Sequence, residues 1–139
     1  MGYYMDQTDS KFVMKKENFE KALQALKEVF VPENMTCKDY IYGKVYPHFS
    51  WVDTNVVLKA ETIEEVLEEI RYEPEHDDEG NIVNVEFTGE KFGDEKIFFT
   101  ALAPYIEKGS YVSFEGEDGR EWTWLFNGEE VNYLESYRR

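Results

Sequence analysis

Hydrophobic residues recur at steps of three and four in three parts of the chain, and each recurrence predicts an amphipathic helix. The apolar sets are, in chain order, Phe19, Ala22, Leu23, Leu26 and Phe30; Ile63, Val66, Leu67 and Ile70; and Phe98, Ala101, Leu102 and Tyr105. Pro32 is expected to end the first helix, and Gly109 is a candidate cap for the third. Pro104 lies inside the third pattern and predicts a kink or an early end.

The second helix has the clearest start. Thr62 and Glu65 stand at capping-box spacing, in which the threonine hydroxyl accepts a hydrogen bond from the N–H of Glu65 and the glutamate reaches back to the N–H of Thr62. The helix is expected to continue through Arg71. The third helix is expected to open at Asp94 and Glu95.

Alternating apolar residues predict strands in the second half of the chain. One strand is expected around residues 82–87, and three more over residues 111–115, 121–126 and 131–134 form an antiparallel meander. Asn127 and Gly128 predict a two-residue hairpin between the last two strands. Trp122, Trp124 and Phe126 share one face of the middle strand, which predicts that this face packs in the core.

The first half of the chain gives weaker strand signals. Residues 3–5 and 12–14 are short β-prone runs separated by the polar segment 6–11, which is typical of a strand pair or of one broken strand. Residues 40–46 are compatible with a strand that Pro47 ends. The whole pattern predicts one α+β domain over residues 1–139, with a mostly antiparallel sheet and about three helices.

Composition indicates a folded, strongly acidic protein. Hydrophobic residues make up 42% and aromatic residues 17% of the 139 positions, more than a disordered chain contains, and the net charge is −15. Residues 1–60 hold 8 acidic and 8 basic side chains, whereas residues 61–139 hold 22 acidic and 7 basic ones. All of the excess negative charge therefore lies in the second part.

This charge argues against direct binding of nucleic acid or of an anionic membrane, and it favours a basic partner. No apolar run reaches the length of a membrane span, and the first ten residues lack the pattern of a signal peptide. A cytoplasmic location is expected.

Few residues are suited to catalysis. The only cysteine is Cys37 and the only histidines are His48 and His76, with no nucleophile or zinc motif around them. The acids that follow His76 do not match a calcium loop. Glu86 with the segment 94–96 supplies the residue types of a two-metal nuclease, but 94–96 falls at a predicted helix start. We therefore predict no catalytic residues, no metal site and no cofactor, and core packing rather than base stacking for the tryptophan stripe.

The strongest candidate for function is a row of carboxylates on the second helix. It lies opposite the apolar face of that helix, and its like-charge pairs at i,i+4 cost on the order of 1 kcal/mol together. The row consists of Glu61, Glu64, Glu65, Glu68 and Glu69 and continues through Glu73, Glu75, Asp77, Asp78 and Glu79. A second cluster on the terminal meander consists of Glu115, Glu117, Asp118, Glu121, Glu129 and Glu130. We expect a partner to bind to the helix row, to its continuation, and to Glu117 and Asp118.

Three interpretations of these acids stay open. The first is a non-catalytic interaction protein whose carboxylates imitate a phosphate backbone and occupy the basic groove of a nucleic-acid-binding protein. The second is a small enzyme or ligand-binding protein with a pocket between the sheet and the helices. The third is a generic acidic protein whose charge only keeps it soluble.

Four short segments carry a resemblance to other proteins. They are Met1-Gly2-Tyr3-Tyr4-Met5, Gly109-Ser110-Tyr111-Val112, Gly116-Glu117-Asp118-Gly119 and Trp122-Thr123-Trp124. In these segments the chain resembles small uncharacterised proteins of bacteria and their phages. In size and acidity it also resembles the anti-restriction and anti-CRISPR proteins of phages, which implies an inhibitor of a host defence nuclease.

Overall fold

A computed structural model describes residues 2–137, while Met1, Arg138 and Arg139 lie outside the described residues. The helices are α1 (Phe19–Val29), α2 (Thr54–Lys59), α3 (Ile63–Glu69) and α4 (Glu95–Leu102), with short 3-10 turns at Lys16–Asn18, Pro32–Asn34 and Ala103–Tyr105. The strands are β1 (Met5–Lys11), β2 (Cys37–Ile41), β3 (Lys44–His48), β4 (Tyr72–His76), β5 (Ile82–Phe87), β6 (Tyr111–Gly116), β7 (Arg120–Phe126) and β8 (Val131–Tyr137). The predicted α+β class is confirmed.

The C-terminal meander is confirmed and forms the centre of a four-stranded antiparallel sheet in the order β1-β6-β7-β8. Trp122, Trp124 and Phe126 are buried on one face of β7, as predicted. On the other face Ser113 and Thr123 share a hydrogen bond of 2.7 Å between paired positions. One face of the sheet thus packs on the helices and the other faces solvent.

The three predicted helices are confirmed, and each buries its apolar face. Ala22, Leu23 and Leu26 of α1 and Phe98 and Leu102 of α4 are buried where these two helices pack together. Pro104 lies in the 3-10 turn that follows α4. Of the kink and the early end that were predicted for this helix, the structure shows the early end. Gly109 is not its cap: the N–H of Gly109 donates to the Phe126 carbonyl at 2.9 Å.

The capping box of α3 forms in only one half. The Thr62 hydroxyl accepts from the N–H of Glu65 at 3.2 Å, as predicted. The Glu65 carboxylate, however, accepts from the N–H of Glu61 at 2.9 Å and not from that of Thr62. The helix ends at Glu69, before Arg71, because Arg71 adopts a left-handed conformation with φ of +79°.

The prediction for the first strand was wrong. The polar segment 6–11 is itself most of β1, not a break between strands. Its partner outside the four-stranded sheet is β5, because the Gln7 side chain donates to the Val85 carbonyl at 2.9 Å and accepts from the Phe87 N–H at 2.6 Å. An amide side chain therefore replaces a backbone group and joins the two sheets.

Two hairpins complete the fold, and neither was fully predicted. β4 and β5 form one hairpin, and β4 was missed because Pro74 and two glutamates hide its pattern; proline is tolerated in such an edge strand. Residues 40–46 are not one strand: β2 and β3 pair with each other around a turn at Tyr42 and Gly43, and Pro47 lies inside β3.

The last hairpin has a longer loop than predicted. Phe126 pairs with Val131, so four residues connect β7 and β8 in place of two. The Asn127 side-chain oxygen accepts from the N–H groups of Glu129 and Glu130 at 2.9 and 2.7 Å, which fixes this loop. The helix α2 was also not predicted.

Candidate functional site

The predicted carboxylate row lies on the solvent side of α3. Ile63, Val66, Leu67 and Ile70 are buried on the opposite side. Glu61, Glu65 and Glu68 are exposed, and Glu64 and Glu69 are half-buried. The spacing deduced from the sequence therefore describes the surface of this helix correctly.

Three of the five carboxylates in the row also make contacts within the chain. Glu65 accepts from the Glu61 N–H, and the Glu69 carboxylate accepts from the Asp53 N–H at 3.0 Å. Glu64 Oε2 lies 3.1 Å from Nε2 of His76 on β4. These contacts hold the row in position, and the last of them ties α3 to the β4–β5 hairpin.

The continuation of the row lies on that hairpin. Glu73 and Glu75 are exposed on β4, and Glu73 stands directly opposite Glu86 of β5. Asp77, Asp78 and Glu79 form the turn that follows. Asp77 accepts from the N–H groups of Glu79 and Asn81, each at 2.9 Å, and the Asn81 hydrogen bonds hold the pKa of its carboxyl below the ordinary value. Asp77 therefore organises the turn.

Glu117 and Asp118 lie elsewhere, in the turn between β6 and β7. The Glu117 carboxylate accepts from the Tyr4 N–H at 3.2 Å, and Asp118 accepts from the Tyr3 hydroxyl, which lowers the pKa of Asp118. Their contacts are with the N-terminal segment, whereas the α3 row contacts the β4–β5 hairpin. The structure thus divides the predicted set into two surfaces.

The structure brings two of the catalytic candidates, Cys37 and His48, opposite each other, but their side chains contact other groups. Cys37 and His48 are paired across β2 and β3, but the thiol lies 3.2 Å from the Ser50 hydroxyl, and the imidazole lies 3.3 Å from Asp39 and 2.8 Å from the Phe49 carbonyl. Over residues 2–137, no group of three or more His, Cys, Asp or Glu side chains is arranged to hold a metal ion.

One buried ion pair was missed by sequence reasoning. Glu95 is fully buried and accepts from Nη2 of Arg71 at 3.2 Å and from the N–H of Gly93 at 2.8 Å. Arg71 also donates to the Lys91 carbonyl at 2.6 Å. Burial raises the pKa of the Glu95 carboxyl, although the positive charge of Arg71 opposes this shift. The pair fixes the loop before α4 against the end of α3.

The backbone around this pair is adapted to it. A Cβ on Gly89 would lie 2.8 Å from Nη1 of Arg71, and a Cβ on Gly93 would lie 2.5 Å from Nη2. Both positions therefore need glycine, because the guanidinium is held and cannot retreat. Trp51, which like Arg71 has a positive φ (+66°), lies against the same loop and donates from its indole N–H to the Phe92 carbonyl at 3.3 Å.

A second missed feature is an exposed apolar arm, which we define as residues 37–48. Of the twelve large hydrophobic side chains exposed in the described part of the chain, eight lie between residues 40 and 58. Five belong to the arm: Tyr40, Ile41, Tyr42, Val45 and Tyr46. Because Tyr40 pairs with Val45 and Ile41 with Lys44, exposed apolar side chains stand on both faces of the ribbon. The arm therefore projects into solvent.

The base of the arm is held by Asp94, at the start of α4. Its carboxylate accepts from the Thr36 hydroxyl at 2.9 and 3.0 Å and from the Ser50 N–H at 2.8 Å. These two residues flank the arm. Phe49 is buried beside Ser50, with ring centroids 4.9 Å from Phe30 and 5.1 Å from Phe98. The arm is thus fixed at its base and free at its tip.

An apolar groove of about 410 Å³ opens beside this base. It lies between α4 and the edge strand β8, and its apolar lining consists of Phe92, Ile97, Trp124 and Tyr133, with Asp94 and Lys96 also on its border. Tyr133 packs on Trp124 with ring centroids 4.9 Å apart. The arm and the groove therefore meet at Asp94.

The chain has no match among family models, curated proteins or solved structures. Among the described helices, none combines the length and the apolar character needed to cross a membrane.

Proposed function

We propose that this chain is a non-catalytic acidic interaction protein, in the manner of a phage inhibitor that mimics nucleic acid. The surface it would present comprises the exposed carboxylates of α3 and of the β4–β5 hairpin. The target would be the basic nucleic-acid-binding groove of a partner, such as a host defence nuclease. Carboxylates on successive turns of a helix lie about 5–6 Å apart, a spacing suited to a groove that binds phosphates.

The observation that carries this proposal is the contact between Glu64 and His76. It ties the helix row to the hairpin that carries the strand acids Glu73 and Glu75, so that the two sets of carboxylates are held in fixed relative positions. Preorganised charges lose less conformational entropy on binding than flexible ones. The like-charge neighbours in this surface oppose folding slightly, whereas a basic partner would remove that repulsion.

The contacts of Glu95 and His48 differ from those that the alternative of a pocket enzyme requires. A pocket enzyme would require acidic side chains that lie next to His48 or to tyrosines in a cleft open to substrate. Glu95 lies near Tyr72, but it is fully buried and paired with Arg71. His48 lies instead against Asp39 at the base of the arm.

The test uses acids whose removal leaves the internal contacts of α3 intact. Glu61, Glu68, Glu73 and Glu75 are changed together to Gln, because Glu64, Glu65 and Glu69 hold other groups. The control is a matched variant with the same charge change on other surfaces, in which Glu33, Glu107, Glu129 and Glu130 become Gln. The measurement is displacement of a DNA duplex from purified restriction endonucleases and from guide-loaded Cas9, repeated over a range of salt concentrations.

A sensitive partner is expected to lose at least about tenfold in affinity for the first variant, with a shallower dependence on salt, and little for the control. Equal losses in the two variants would indicate only generic acidity. Undiminished binding by the first variant would refute the role of this surface.

A further inference from the structure

We propose that the arm of one copy of this chain docks in the groove beside α4 of a second copy, and that the exchange is reciprocal. This inference concerns surfaces other than the carboxylate row and does not rest on the function proposed above. Its starting point is a ribbon that exposes apolar side chains on both faces. An isolated two-stranded hairpin is marginally stable in water, so such a ribbon gains stability when a partner covers it.

The tip of the arm is built to present an aromatic side chain. Tyr42 is fully exposed, and it has a φ of +50° next to Gly43 at +78°. Positive φ at both central residues is the pattern of a type I′ turn, for which Asn-Gly is a preferred sequence and a tyrosine is costly. Strain of this kind concentrates where a side chain has a binding role.

A second copy suits the arm as its occupant because the same chain carries both an exposed apolar ribbon and an apolar groove. The arm holds Lys38, Lys44 and Asp39, so its net charge is +1 with His48 neutral, and the rest of the chain carries −16. A basic partner would repel this arm, whereas the repulsion between the acidic bodies of two copies is screened by salt and leaves the apolar contact to hold them. The groove supplies a matching apolar surface with Trp124 and Tyr133 at its wall.

The positions of arm and groove favour a two-fold arrangement. A five-residue strand spans about 17 Å, which carries the tip well away from its own base. Because Asp94 lies both at that base and on the border of the groove, a two-fold axis displaced from Asp94 by about half the length of the arm would place each tip over the groove of its partner. Tyr40 and Tyr42 are 72% and 100% exposed; at about 150–250 Å² for a whole aromatic side chain, they would supply roughly a third to a half of the roughly 800 Å² that each partner buries in a standard interface.

The first test is sedimentation equilibrium of the full chain and of Tyr42→Asn. Asparagine is better suited than tyrosine to the turn, so this variant removes the ring without weakening the hairpin. The wild type is expected to reach twice its mass of 16.5 kDa, and Tyr42→Asn to dissociate at least about tenfold more readily. Leu134→Asn, which changes an exposed side chain on the solvent face of the sheet, is the matched control and should leave the dimer unchanged.

Salt separates this dimer from the complex proposed above. Repulsion between two acidic bodies is screened by salt, so the dimer should be at least as strong at high salt, whereas an acidic surface bound to a basic groove weakens. The variant with Gln at positions 61, 68, 73 and 75 should still dimerise even if it fails to bind any nuclease.

The second test locates the contact by disulfide cross-linking in a Cys37→Ser background. Tyr42→Cys and Lys96→Cys chains are oxidised separately and as a mixture, with Lys96 chosen because it borders the groove. The mixture is expected to give a covalent heterodimer in excess of the products of either chain alone. A wild type that stays monomeric at about 100 μM, where a contact of roughly 5.5 kcal/mol would be visible, overturns the proposal. A cross-link that forms only between two Tyr42→Cys chains also overturns it, since the arms would then meet each other.

Discussion

Replacing Glu95 tests how far the fold depends on its buried ion pair. Glu95→Ala leaves the guanidinium of Arg71, whose side chain is 13% exposed, without the carboxylate that it contacts at 3.2 Å. It also removes the acceptor of the Gly93 N–H. Breaking a buried pair by removal of one partner costs about 3–5 kcal/mol. Because domains of this size are stable by only about 5–15 kcal/mol, the variant should lie close to unfolding.

The measurement is urea denaturation followed by fluorescence, since Trp122 and Trp124 are buried in the core. A loss of about 3–5 kcal/mol corresponds to a fall in the midpoint of at least about 1 M urea. Glu68→Ala on the exposed side of α3 should stay within about 0.5 kcal/mol of the wild type. The double variant Glu95→Ala/Arg71→Met should be more stable than Glu95→Ala, because it removes the uncompensated charge. A loss below about 1 kcal/mol for Glu95→Ala, or a less stable double variant, would refute this account.

Three further predictions concern stability. Thr62→Ala should lower the free energy of unfolding by about 1 kcal/mol, measured in urea, because the N–H of Glu65 loses its capping oxygen; no change would show that another group replaces the cap. Gly93→Ala should destabilise more than an exposed alanine substitution, because the added Cβ would lie 2.5 Å from Nη2 of Arg71; thermal unfolding compared with Ser136→Ala decides this. Since burial raises the pKa of Glu95, protonation favours the folded state, and the wild type should lose stability relative to Glu95→Gln as the pH rises from about 4 to 7. A difference between these two proteins that is constant with pH would contradict the raised pKa.

The elements that the sequence predicts correctly are those stabilised by their own neighbours. The meander is marked by alternation within each strand and by turns between adjacent strands. The carboxylate row of α3 follows from helical spacing alone, because the buried positions Ile63, Val66 and Leu67 fix which side faces solvent. Such patterns involve only residues close in sequence, so they can be recognised without knowing which distant residues pack against them.

The features that the sequence does not reveal depend on contacts between distant residues. β1 is a strand because its backbone pairs with β6 at the other end of the chain, and no alternation in residues 6–11 signals that pairing or the contact of Gln7 with β5. Arg71 and Glu95 are 24 positions apart and lie in different predicted elements. Nothing in their spacing indicates that they would be buried together.

The arm had a usable signal that was misinterpreted. Gly43 stands in the middle of the β-prone run 40–46, where a single glycine indicates a turn as readily as an interrupted strand. Its partner in the turn, Tyr42, is an unusual residue at that position, which concealed the hairpin. The exposure of the tyrosines depends on the absence of packing elements above them, which only the three-dimensional structure shows.

Because Asp94 holds both ends of the arm together, this segment can change without a change in the rest of the domain. A single carboxylate holds the two residues that flank it, so the chain enters and leaves the arm at the same point of the surface. Loops whose ends meet in this way tolerate changes of length at small entropic cost. Replacing residues 37–48 by a short glycine-serine linker should therefore leave the rest of the domain folded. Evolution would be able to lengthen, replace or lose this ribbon without redesigning the core beneath it.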